Sequence, residues 1–93
     1  MIIKNNSQVK ILIGEIKPRR KYIIEVQQAD GTFNYQFILR SDLGSDVLGM
    51  IRDTSKDKSF TIMSQADSVS KLYLANFPGC TWTEAEISLR EVR

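Results

Sequence analysis

The chain predicts a mainly β fold: a small antiparallel barrel or two-layer sandwich of about six short strands, with one short helix near residues 45–53. Three observations carry this. Apolar and polar residues alternate through most of the apolar stretches. Those stretches are short and separated by turn-forming residues. Asp30-Gly31 lies between two alternating runs, residues 22–28 and 33–39, and Asp-Gly is a strong two-residue hairpin signal.

Taken in order, residues 9–16 read as the first strand. Val9, Ile11 and Ile13 share one face and Leu12 and Ile16 the other, as in a strand covered on both sides. Lys17-Pro18-Arg19-Arg20 breaks the pattern, because Pro18 has no amide to donate and biases Lys17 toward an extended backbone. A turn is expected there. A hairpin about Asp30-Gly31 would set Val26 opposite Tyr35, Ile24 opposite Phe37 and Tyr22 opposite Leu39. Apolar then meets apolar, and polar Gln27 meets Asn34 and Glu25 meets Gln36, so a slip of one residue would mismatch both faces. On this reading the first 40 residues form a three-stranded meander with Phe33, Tyr35 and Phe37 in the core.

Residues 41–45 are turn-rich. Val47, Leu48, Met50 and Ile51 then follow helical spacing, with Ser45 or Asp46 as N-cap and Gly49 weakening the helix by about 1 kcal/mol. Residues 54–59 form a polar loop, residues 60–63 and 72–77 two further strands, and Pro78-Gly79 ends the second. From residue 84 the alternation of Ala85, Ile87 and Leu89 with charged residues favours a strand. A capping box of Thr83 with Glu86 is the helical alternative for residues 82–92, which would make the fold α+β.

The 93 residues form one domain. The single cysteine, Cys80, leaves no intramolecular disulfide and suits a reducing, cytoplasmic setting. No apolar run is long enough for a membrane-spanning helix, and the first residues lack the apolar core of a secretory signal, so no membrane partner is expected.

The absence of histidine removes the usual general base and the commonest metal ligand. With one thiol and no imidazole, neither zinc nor a thiol nucleophile is expected. Asp53, Ser55, Asp57 and Ser59 have the spacing of early calcium ligands. However, Lys58 stands where the loop's glycine belongs and Ser64 where its bidentate glutamate belongs. The glycines are scattered singly and form no phosphate loop. The expectation is therefore no enzyme, no cofactor and no metal.

Charge is uneven. Residues 1–21 carry six basic side chains against Glu15 alone, and the remainder carries seven basic against ten acidic. Lys17, Arg19, Arg20 and Lys21 concentrate this charge in one turn next to Tyr22. The expected function is a small non-catalytic binding module acting on another protein, as modulator, inhibitor or accessory subunit. Lys17, Arg19, Arg20, Lys21, Tyr22 and Trp82 are its candidate contacts, since Arg and Trp anchor interfaces. The alternative for Trp82 is a core role, because a small core needs large side chains. The alternative function is single-stranded nucleic-acid binding through residues 17–21, where cations meet phosphates and rings stack on bases. Burial of the aromatic face would oppose it. Self-association through edge strands is a further expectation.

Overall fold

The computed structural model describes residues 1–5, 10–41, 46–76 and 79–92, with Asn76 through its backbone alone. Eight strands account for most of them: β1 (Ile2–Lys4), β2 (Ile11–Ile16), β3 (Lys21–Gln27), β4 (Tyr35–Ser41), β5 (Val47–Asp53), β6 (Lys58–Met63), β7 (Ser70–Asn76) and β8 (Glu84–Glu91). They form two antiparallel four-stranded sheets, ordered β1-β8-β3-β6 and β2-β7-β4-β5.

The pairing has a simple logic. β4 pairs with β5, β3 with β6, β2 with β7 and β1 with β8, all antiparallel. The chain is thus one long hairpin whose tip lies between β4 and β5. Both arms bend together from sheet to sheet, and the added pairs β3–β8 and β4–β7 close the two layers. This is the strand order of a jelly roll.

Burial follows strand alternation. Tyr35, Phe37 and Leu39 from β4, Tyr22, Ile24 and Val26 from β3, Leu72 and Leu74 from β7, and Ala85 and Ile87 from β8 meet in one core with Phe33 and Trp82. The rings interlock edge to face: Trp82 lies 4.8 Å from Phe33, and Phe37 lies 5.3 Å from Tyr35. The expectation that Phe33, Tyr35 and Phe37 point into the interior holds.

The expected hairpin does not form. β3 and β4 belong to different sheets, and residues 28–34 carry the chain from one to the other. Gln28 and Gly31 both adopt positive φ (53° and 59°). Asp30 uses its carboxylate to accept the amides of Thr83 at 2.8 Å and Glu84 at 3.0 Å, and also the Thr83 hydroxyl. Thr32 exchanges hydrogen bonds with Thr81, its amide to the Thr81 hydroxyl and its carbonyl to the Thr81 amide, both at 3.0 Å. The corner is bonded to the adjacent corner of the other arm instead of closing on itself. The two runs match in polarity because both face the same core across the sandwich. The three-stranded meander falls for the same reason.

The expected helix near residues 45–53 is strand β5; Ser45 itself lies outside the described residues, which contain no helix. Gly49 is a poor helix residue, and pairing with β4 satisfies the backbone of the segment while placing Ile51 opposite Phe37. The α+β alternative falls with it, and residues 84–91 take the expected strand. The six expected strands become eight with the addition of β1 and β5. β1 is only three residues long and exists through its pairing with β8. In β2 the register shifts between Leu12 and Gly14, a bulge that lets Ile13 and Ile16 both reach the core although simple alternation sets them on opposite faces. Val9 lies outside the described residues.

Candidate interaction surface

The basic turn at residues 17–21 sits on the corner between β2 and β3, alongside the corner between β6 and β7. Pro18 bridges Ser64, and the Arg19 amide donates to the Ser64 carbonyl at 2.9 Å. Arg19 adopts a positive φ of 57°. Its guanidinium pairs with Asp67, and that of Arg20 pairs with Glu91 at 3.0 Å. The Tyr22 ring is buried, with its hydroxyl accepting the Lys17 amide at 3.1 Å. The turn therefore brings Lys17, Arg19, Arg20 and Lys21 together at the surface. Among the described residues, two of the four charges are matched by acids and no ring stands out beside them.

Trp82 is 1% exposed and packs against Phe33 in the core. Among the described residues its indole N–H has no hydrogen-bond partner. The structure thus places the two aromatic members of the expected contact set inside and the four basic members outside.

The outer faces of the two sheets differ in kind. On the first sheet, Lys4 opposes Glu84, Ser88 lies beside Glu25, and Arg90 lies beside Ile23. Glu25 accepts a hydrogen bond from Arg90 at 3.2 Å. This face is mostly polar and balanced in charge, interrupted by Ile2, Ile23 and Met63.

On the second sheet, register aligns Leu12, Tyr73, Ile38 and Met50 in one row across all four strands. Leu12 and Met50, at the two ends, are each 50% exposed, while Ile38 in the middle is covered by its neighbours. At the start of β5 the register shifts again, and Val47 and Leu48 extend the apolar surface at 47% and 43% exposure. Ile38 lies outside the interior cluster although buried, which confirms that this row faces outward. Polar residues flank it, with Arg52 and Gln36 on one side and Lys71, between Arg40 and Glu15, on the other.

Next to this face, the free edges of β5 and β6 leave an apolar groove of about 270 Å³. Phe37, Leu39 and Leu72 form its floor, and Ile51, Ile62 and Met63 its walls. Met63 stands 42% exposed at the rim.

Sequence reasoning missed this surface because its members are spread over four strands, each contributing one to three apolar residues on the second face. The available signal was the apolar residue on both faces of residues 9–16 and again of residues 33–39.

Three chemically suggestive groups have structural work here. Hydrogen bonds from the Thr83 side chain and the Glu84 and Thr83 amides hold the Asp30 carboxyl at about 2, below its ordinary 3.8. Lys58 and then Ser55 push Asp53 lower still, and Asp53 ties the 54–57 turn through the Thr54 and Ser55 amides. Burial raises the Tyr35 phenol. Cys80 is half-buried against the core. Among the described residues no three acids or thiols gather as a metal-holding group, and no helix is long and apolar enough to cross a membrane. No protein-family model, curated protein or solved structure matches the chain.

Proposed function

We propose that the chain is a non-catalytic cytoplasmic binding module that engages another protein through the outer face of its second sheet. The observation that carries this is the row Leu12–Tyr73–Ile38–Met50, continued by Val47 and Leu48. Isolated apolar residues on a surface need no explanation, but a contiguous set rimmed by charge marks an interaction site. Met, Tyr and Arg are also the residue types enriched at interface centres. The opposite face of the sandwich lacks such a row, so a two-layer β module exposing one sticky face and one soluble face is matched to a single partner surface.

Nucleic-acid binding through residues 17–21 has less support. Arg19 and Arg20 already neutralise Asp67 and Glu91, and Tyr22 is buried beneath them.

The test is site-specific photo-crosslinking in cells that express the protein. A photo-reactive residue at position 50 should give a discrete protein adduct, and one at position 86, on the other sheet, should not. Leu12→Asp should abolish the adduct while leaving unfolding within about 0.5 kcal/mol of the parent. Adducts from position 86 but not from position 50 would refute the assignment.

A further inference from the structure

Granted the proposed function, with the second sheet as the contact side, the edge of β5 and the groove beside it point to a class of ligand. We propose that β5 receives an extended acidic peptide segment of a partner protein, added as a further strand.

The four sheet edges are not equally open to pairing. β1 is three residues long and ends on Lys4. β2 is interrupted by its bulge and carries Glu15. β6 opens on Lys58. Short length, bulges and lysine are the devices that keep edges from pairing with other chains. β5 has seven residues with neither Lys nor Pro, and its bulge falls at the start, leaving Gly49–Asp53 regular. It is the edge best prepared for another strand.

The groove supplies the reason for a peptide. A strand laid along β5 sends alternate side chains inward over Phe37, Leu39 and Leu72. Roughly 150 Å³ is enough to hold a benzene-sized group, so about 270 Å³ takes one large apolar side chain with room to spare. Main-chain hydrogen bonds to an edge give affinity, and pockets for alternate side chains give specificity.

Charge supplies the reason for acids. The outward side chains of the added strand emerge next to Met50 and Arg52, on a face where the paired strands set Arg40, Arg52 and Lys71 against Glu15. Arg52 and Lys71 already make contacts within the chain; an approaching acid responds to the summed charge of the face, not to a vacancy. The apolar row favours a peptide over a nucleic acid, because aliphatic side chains and one half-buried tyrosine offer little to stack on.

Fluorescence anisotropy with two labelled peptides of about ten residues tests this. One alternates Val and Glu, the other Val and Lys. The Val/Glu peptide should bind about tenfold tighter, with the advantage shrinking as salt is raised. Arg52→Glu should narrow or reverse that preference while lowering the unfolding midpoint no more than the loss of one exposed contact does. Methylating the alternate amides on one edge of the Val/Glu peptide should abolish binding, and on the other edge should not. Binding of neither peptide, equal binding within about twofold, or indifference to Arg52→Glu would each overturn the proposal. So would displacement of the Val/Glu peptide by oligothymidylate at comparable concentration, which would put nucleic acid on this face. If the peptides fail while the position-50 adduct persists and is lost in Leu12→Asp, the broader protein-binding reading stands and only the strand-addition proposal falls.

Discussion

Replacing Gly31 with alanine separates the observed cross-sheet corner from a simple hairpin turn. Gly31 has φ of 59°, where an L residue is disfavoured by about 1–2 kcal/mol. A Cβ there would also stand 2.8 Å from the carbonyl oxygen of Thr81, 3.0 Å from its carbon and 3.1 Å from its hydroxyl. These are backbone and short-side-chain atoms, so the corners must part. Parting them strains the two Thr32–Thr81 hydrogen bonds, each worth about 0.5–1.5 kcal/mol net. The expected loss is about 2–4 kcal/mol, and at about 4–8 °C per kcal/mol for a domain of this size it is easily read in a thermal melt. Gly79 provides the control. Its φ is 88°, but among the described residues its added Cβ would meet nothing closer than 3.8 Å, so Gly79→Ala carries the backbone term alone. Urea unfolding of both variants at equal pH gives the comparison. If Gly31→Ala is no more destabilising than Gly79→Ala, the contact between the two corners is wrong, and with it the account of why Asp30-Gly31 fails to close a hairpin.

Four more perturbations probe this corner and other parts of the sandwich. Asp30 titrates at about 2 in the folded chain against 3.8 ordinarily, so its stabilisation is complete above about pH 4 and is lost as pH falls through 2. Asp53 acts in the same direction. The unfolding midpoint should therefore drop between pH 4 and 2, and Asp30→Asn should flatten that drop; an unchanged pH profile would contradict the carboxylate's role. Gly14→Ala brings a Cβ to 2.8 Å from the Leu89 side-chain tip, so it should destabilise by about 1–2 kcal/mol, with Leu89→Val relieving part of that in a double-mutant cycle. Trp82→Ala should cost about 3–5 kcal/mol in urea unfolding, whereas Arg19→Ala with Arg20→Ala should cost no more than about 1 kcal/mol for each exposed pair broken and leave oligonucleotide affinity unchanged.

Local pattern carried the fold class. Period-two alternation in residues 22–28, 33–39 and 84–91 marks strands whatever they pair with, and the aromatic side of residues 33–37 is interior in either topology. Pairing was not legible, because polarity matching reports only that two strands face a common core. It cannot distinguish neighbours in one sheet from strands stacked across two. Asp30-Gly31 misled for the same reason: Gly31 does take the left-handed backbone a turn residue takes, but Asp30 spends its carboxylate on Thr83 and Glu84, more than fifty positions away. Residues 47–53 were misread because their apolar positions fit either period, and only β4 alongside decides between them. The apolar outer face of the second sheet depended on register across four strands, a quantity no single segment contains.

The winding order also governs how the molecule comes into being. The first sheet holds β8 between β1 and β3, so its opening strand has no partner until the last strand exists. Only β4 and β5 join neighbours along the chain within one sheet. The second sheet and the β3–β6 pair need no residue beyond 76, but β1 has no place, and the first sheet stays incomplete, before residues 84–91 leave the ribosome. Closure of the two layers waits for β8, in keeping with the slow folding of sheets paired between distant segments. Until then the sticky strands are exposed together, and speed of completion, as much as final stability, sets how much protein escapes aggregation.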